Sequence, residues 1–229
     1  MSESVQKTEL IIKTMAETIV ANERYFCKLD EVVGDGDMGY SLARGWEIIL
    51  RDFDSYDRAS VSAFLKKIGF VISSKIGGSS GPIWGTGFIR AAAAAGDKNE
   101  ISSADTIAML RAAVAGIQQR GGAELGEKTL LDALVPAIDS LEKDFAENLS
   151  STDAIERAAK VCATSAEATK NLIAKRGRAA YTGERSIGSP DAGAMAIAVI
   201  FTEISRAWRN KSEPPAVAGG FEESRNAER

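Results

Sequence analysis

Histidine is absent from all 229 residues of the chain. Chemistry that relies on an imidazole, as general base, nucleophile or metal ligand, is therefore outside what this polypeptide can supply by itself. Carboxylates, cations, backbone amides or a partner must take that role. Cysteine is nearly as scarce. Cys27 and Cys162 stand far apart, in neither CxxC nor zinc-ligand spacing, which excludes a disulfide framework and a structural zinc and fits two reduced thiols of a cytoplasmic protein. No apolar run approaches the roughly 18 residues of a membrane span, and the N-terminus lacks a basic region leading into an apolar signal core. Excess positive charge is missing too: 28 Lys and Arg against 32 Asp and Glu give a net charge of −4, with no electrostatic footprint for nucleic acid. The expectation is a soluble cytoplasmic protein with neither a nucleic-acid nor a membrane partner.

Runs of alternating β-branched residues are also lacking, and what is present has a helical period. Ile11, Met15 and Ile19, flanked by Ile12 and Val20, recur at the spacing of one buried helix face. The pattern predicts a first helix to about Phe26, then helices near 42–53, 61–76, 83–95, 106–119, 130–148, 154–175 and 191–208, eight in all. Ala91–Ala95 and Ala112–Ala115 favour close helix packing. Asp153 and Glu156 have capping-box spacing, and Ser189, Pro190 and Asp191 read as N-cap, N1 and first-turn acid of the last helix. The fold class is all-α, one domain over residues 1–210, followed by a mobile tail over 211–229, where Pro, Gly and charges replace the periodicity.

Four interhelical segments carry the chemistry. The first, from Leu29 to Gly39, places Asp30, Asp35 and Asp37 within eight residues, among glycines that let the chain fold tightly. Three crowded carboxylates repel one another unless a cation sits among them, and hard oxygen ligands of this kind select Mg²⁺, Ca²⁺ or Mn²⁺. An EF-hand fails on spacing, since no acid follows at the twelfth position of a loop begun at Asp30 or Asp35. The second segment, Gly77-Gly78-Ser79-Ser80-Gly81-Pro82, precedes a helix and can present backbone N–H groups to an anion. It lacks the Lys-Ser/Thr pair of a Walker A loop. The third runs from Arg120 to Asp132 and is rich in glycine. The fourth, Lys175 to Gly193, is a long loop bearing Arg178 and Arg185, and loops of that length in a compact domain are usually functional.

Together the four segments resemble the L subunit, or C-terminal L domain, of the dihydroxyacetone kinase family over roughly residues 5–209. The shared motifs are D-x-x-x-G-D-G-D-x-G, G-G-x-S-G-P, G-x-K-T-x-x-D-x-x-x-P and G-R-A-x-Y-x-G-E-R-S-I-G, in family order and at family spacing. The resemblance implies an antiparallel eight-helix barrel whose loops at one end hold ADP or ATP. It implies that Asp30, Asp35 and Asp37 hold two Mg²⁺ ions bridging the phosphates, with Met38, Gly39, Tyr40 and Ser41 along the nucleotide edge. Gly78, Ser79 and Ser80 would meet phosphate, and Gly121 and Leu130 would line the adenine cleft. Arg178, the candidate catalytic residue, and the Asp191-Ala192-Gly193 turn would close the site near the ribose and phosphates. Some members carry histidine where Met38 and Ser189 stand, and proline where Ala192 stands, so contacts made by those imidazoles are lost here while backbone contacts survive.

In the family the ketose is held on a separate K subunit or domain as a covalent adduct with a histidine. The resemblance therefore implies half of an enzyme. The chain would deliver a phosphoryl group to a short ketose on a K-type partner, drawing on ATP or on bound ADP recharged by a phosphotransferase-system phosphoprotein. A homodimer stays open. Two other readings remain: a regulatory protein whose nucleotide state controls docking, and a stand-alone two-metal phosphatase, for which no leaving-group acid stands out beside the aspartates. Lys128, in a Gly-Glu-Lys-Thr setting, shows no sequence sign of the desolvated environment a Schiff-base lysine needs.

Overall fold

Ser2 accepts a hydrogen bond from the Val5 N–H and opens α1 (Glu3–Ala21), the first of nine α-helices in a computed structural model that describes residues 1–212. The others are α2 (Glu23–Glu31), α3 (Met38–Arg51), α4 (Val61–Lys75), α5 (Ser80–Ala95), α6 (Ser103–Gly121), α7 (Leu131–Ala146), α8 (Ser151–Ala168) and α9 (Ala192–Ser212). Short 3₁₀ turns follow α3 and α8, and no strand occurs among the described residues. α9 reaches Ser212, two residues into the tail expected from residue 211, and the remainder of that expectation, residues 213–229, lies outside the described residues.

The ninth helix comes from a break the periodicity does not show. At Asn22 (φ −106°, ψ 15°) the side-chain amide donates to the Thr18 carbonyl at 2.8 Å, competing with the helix ladder, and the chain restarts as α2. The buried Phe26 continues the apolar spacing across that break, so α1 and α2 read as one. Two expected caps also move. α8 starts at Ser150, whose hydroxyl accepts from the Asp153 N–H at 3.1 Å, one turn before the Asp153–Glu156 pair. α9 is capped by Asp191, whose carboxylate accepts from Ala194 N–H at 2.8 Å, rather than by Ser189. α8 ends at Ala168, so the stretch to residue 175 expected to be helix belongs mostly to the loop before α9.

Consecutive helices pack side by side: α3 on α4, α4 on α5, α5 on α6, α6 on α7, α7 on α8 and α8 on α9. α1 closes the ring by touching both α3 and α9, while α2 lies against α3 and α9. The ring thus has eight members, with α2 as an extra piece. Its interior holds Ile12, Ile19, Leu42, Trp46, Ile49, Phe64, Ile68, Ile72, Leu131 and Ile138, each fully buried and each contributing about 1.5–3 kcal/mol by leaving water. Where α4 crosses α5 the separation is set by glycine: a Cβ on Gly85 would come within 2.6 Å of the Gly69 carbonyl oxygen. In an up-and-down ring alternate connections share one end. The loops 32–37, 76–79, 122–130 and 169–191 are alternate connections, and they are the four segments rich in chemistry-bearing residues.

Candidate functional site

Asp30 lies in the last turn of α2, and the chain doubles back at once, with the Gly34 N–H on the Asp30 carbonyl and Gly36 at φ +76°. A side chain at Gly34 would run into the Asp30 carboxylate and displace it from the loop. Asp37 then precedes α3, and the Met38 N–H donates to the Asp30 carboxylate at 3.4 Å. The result brings one oxygen from each of Asp30, Asp35 and Asp37 within 4.8 Å of one another, at the N-terminus of a helix whose dipole favours negative charge. Oxygens on one octahedral Mg²⁺ stand about 2.9–4.2 Å apart, given metal–oxygen bonds near 2.1 Å, so this donor set fits a hard divalent cation after a small closure. Asp35 and Asp37 are half exposed, which leaves room for further oxygen ligands.

Charge on this loop is balanced from the far end of the sequence. The Arg178 guanidinium pairs with Asp35 and, at 2.8 Å, with Asp37. Arg178 opens a 3₁₀ segment that runs to Ser186, and the two residues before it, Arg176 and Gly177, line a cavity of about 350 Å³. Ser79, Gly121 and Leu130 line the same cavity, together with Ile83, Ile117 and Thr129. A Cβ on Gly121 would meet the Ile83 side chain at 3.6 Å, so a larger residue there would occupy this space. The run Arg176-Gly177-Arg178 thus joins the cavity to the acidic loop.

The other expected site residues take these places. Tyr40 is exposed in the first turn of α3, its ring under the Arg44 guanidinium at 5.0 Å, and Ser41 donates its N–H to the Asp37 carbonyl. Gly39 is buried against α2, where a Cβ would meet the Cys27 nitrogen at 2.8 Å, so it has a packing role as well. Gly78 adopts φ +63° with open space around it, and Ser80 begins α5. Met38 packs on the core edge. Asp191, Ala192 and Gly193 form the start of α9 beside Leu130, with Gly193 so close that a Cβ would lie 3.3 Å from the Leu130 Cβ. Burial pushes the Asp191 carboxyl up to about 6, only partly offset by the Ala194 N–H. The Ser189 hydroxyl oxygen is buried without a hydrogen-bond partner among the described residues.

Two residues to which the sequence assigned no site role, Lys128 and Glu127, stand behind this site. Lys128 is 3% exposed, contrary to its open-looking sequence setting, and burial pushes its ammonium below the usual lysine range. Its Nζ donates to the carbonyls of Leu172 (3.2 Å), Ser189 (2.8 Å) and Ser186, which marks it as a clamp on backbone rather than a free nucleophile. Glu127 accepts from the Arg176 guanidinium at 3.0 Å, and its carbonyl accepts the Lys175 N–H at 3.1 Å. The Arg176 hydrogen bond holds the Glu127 carboxyl below the ordinary glutamate range. The Gly-x-Lys-Thr spacing flagged the segment, but the acceptors lie 44 to 61 residues away, out of reach of any local pattern.

Comparison with known proteins identifies the family and the fold. Residues 32–206 match the DAK2 domain. The chain is 33% identical over 196 residues to the PEP-dependent dihydroxyacetone kinase ADP-binding subunit DhaL of Escherichia coli, covering 85% of this chain and 93% of that protein. It is 36% identical over 185 residues to the PTS-dependent dihydroxyacetone kinase ADP-binding subunit DhaL of Lactococcus lactis, covering 81% and 88%. The crystal structure of the dihydroxyacetone kinase from C. freundii in complex with AMP-PNP and Mg²⁺ superposes with a TM-score of 0.69 at 24% identity. That match covers 89% of this chain and 33% of the larger one, and it establishes the shared all-helical fold. With the domain match spanning most of the ring, and full-length relatives above 30% identity, this chain belongs to the DAK2 domain family, alongside the DhaL subunits of dihydroxyacetone kinases.

Proposed function

We propose that the chain is the nucleotide-binding subunit of a two-component dihydroxyacetone-type kinase, which transfers a phosphoryl group to a short ketose held on a separate K-type subunit. The observation that carries this reading is the Arg176–Arg178 run, which lines the cavity with its first two residues and pairs with the acidic loop through its third. ADP or ATP suits that run: the base against Gly121 and Leu130, the phosphates toward Ser79, Ser80 and the first turn of α3 from Met38 to Ser41. Two Mg²⁺ ions, held by Asp30, Asp35 and Asp37, would supply charge neutralisation on the phosphates. Arg178 would exchange its carboxylate partners for phosphate oxygens and stabilise charge during transfer. The Asp191–Gly193 turn, packed on Leu130, closes the cleft.

No histidine is available to anchor a ketose, and the site offers no cationic nucleophile in its place, since Lys128 spends its three N–H donors on carbonyls. The acceptor therefore belongs to the partner. The names of the relatives, PEP-dependent and PTS-dependent, support bound ADP recharged by a phosphotransferase-system phosphoprotein over exchange with free ATP. The test is a phosphorus NMR assay of triose and tetrose ketoses with the chain alone, with a K-type partner, and with each donor. Turnover is expected only with the partner. Turnover by the chain alone, in a preparation free of other kinases, would overturn the reading.

A further inference from the structure

Between Thr169 and Asp191 the chain leaves α8, travels to the acidic loop and returns to α9. This segment buries little: Ala174 and Ser186 are its buried residues between 172 and 189. It carries Arg178 at its outer part, half exposed and dependent on the segment's own placement to reach Asp35 and Asp37. Something must fix the two ends of such a loop, because few apolar contacts are present to do so.

Lys128 meets that requirement. Its ammonium is donated to one carbonyl at the entry of the segment, Leu172, and to two at its exit, Ser186 and Ser189, so a single buried charge ties both limbs together. Hydrogen bonds from a charged donor are the stronger kind, and three acceptors satisfy every N–H of the group. The backbone at Lys128 is left-handed (φ +62°), a conformation that costs a residue with a Cβ about 1 kcal/mol or more and persists where surroundings enforce it. Around this clamp Glu127 holds Lys175 and Arg176, the Ser186 hydroxyl accepts the Ala174 N–H at 2.9 Å, and Gly188 donates to Lys170 at 2.8 Å. On the other side Thr129 and Leu130, the next two residues, line the cavity.

We propose that Lys128 is a positioning residue whose buried ammonium fastens both limbs of the 172–189 segment to the cavity wall at Thr129 and Leu130, and so sets the reach of Arg178 onto the acidic loop. Occupation of the cavity and placement of Arg178 are then coupled through three consecutive residues, 128 to 130. The clamp itself is independent of the functional reading, which enters only through the choice of ADP with Mg²⁺ as the probe.

The test uses the full chain with Lys128→Met, which keeps length and removes the donors, and Lys128→Gln, which can serve at most two of the three carbonyls. Hydrogen exchange without ligand should accelerate at the amides of Ala174, Lys175 and Gly188, while amides of α5 and α6 keep their wild-type rates. Lys128→Gln should show a smaller acceleration in the same places, and it carries the test if Lys128→Met fails to fold. Calorimetric titration of ADP in Mg²⁺ should show a loss of about tenfold in affinity for Lys128→Met, the scale of a lost charged hydrogen bond. The decisive arm is the cycle with Arg178→Ala. If Lys128 acts through Arg178, the double variant binds no more weakly than Arg178→Ala alone; independent effects would multiply and overturn the proposal. Unchanged exchange of the 172–189 amides would also overturn it. A wild-type chain that fails to bind ADP with Mg²⁺ would instead defeat the functional reading, while the exchange arm still decides the clamp.

Discussion

The seam between α4 and α5 and the loop end of the ring are held by opposite means. At the seam, glycines let backbones touch and apolar side chains fill the interior, so stability is spread over many contacts of modest individual worth. At the loop end a handful of polar groups, Lys128, Glu127 and Arg178, each hold a distant piece of chain. Substitutions in the first region should cost stability and spare the chemistry of the second until the fold gives way. Those in the second should do the reverse.

The largest effect on the core side is expected at Trp46, fully buried and edge-on to Phe88. Trp46→Ala should cost about 3–5 kcal/mol in urea unfolding, the scale for an aromatic removed from a packed interior. On the loop side, Asp35→Asn should weaken ADP binding in Mg²⁺ by about a hundredfold or more, since even groups behind a metal's ligands are worth 10–100-fold. The same variant should unfold within about 1 kcal/mol of wild type, because the Arg178 pair it breaks is exposed. An Asp35→Asn chain that keeps its calorimetric affinity, or loses its fold, would erase the contrast.

A smaller step separates two glycines. Gly85→Ala should cost about 1–3 kcal/mol, because its methyl would press on the Gly69 carbonyl and the Ser73 side chain. Gly77→Ala, with nothing within 4 Å of the new methyl, should stay within about 0.5 kcal/mol. Equal melting temperatures for the two would refute the close-packed seam.

The last comparison is a pH dependence at Asp191, read against its own asparagine variant. Burial raises its folded pKa to about 6, above the value near 3.9 of an unfolded chain. The folded protein keeps this proton between those values while the unfolded chain releases it. The contribution therefore favours the fold fully below about pH 4 and is lost as pH rises through 6. Asp191→Asn keeps an acceptor for the Ala194 N–H and removes the titration. Wild-type stability measured against this variant should fall between about pH 4 and 6.5 and level off above. A flat difference across that range would show that Asp191 is not buried as described.

How much of this was legible depends on range. Helix faces repeat within four residues, so the all-α class and the boundaries near Val61, Lys75 and Ala95 follow from local spacing, while the closed ring was implied only by the family resemblance. The break at Asn22 escaped because Phe26 keeps the apolar register across it. The caps at Ser150 and Asp191 escaped because neighbouring residues offered equally good local patterns, and only packing chooses between them. The acidic loop was legible because its three carboxylates are consecutive enough to crowd by themselves. Arg178 on that loop, the shared cavity wall of Ser79, Gly121 and Leu130, and the burial of Lys128 all depend on the ring bringing alternate loops to one end.

The central claim is that the acidic loop and the cavity form one site, in which the phosphates of a nucleotide in the cavity would complete the ligands of a divalent cation on the loop. Melting of the purified chain with ADP, with Mg²⁺, and with both tests it most directly. Together, at about 100 times the dissociation constant, they should stabilise the fold by roughly 2.7 kcal/mol, and either alone should do much less. Equal shifts from either component alone, with nothing added by the pair, would contradict a joined site.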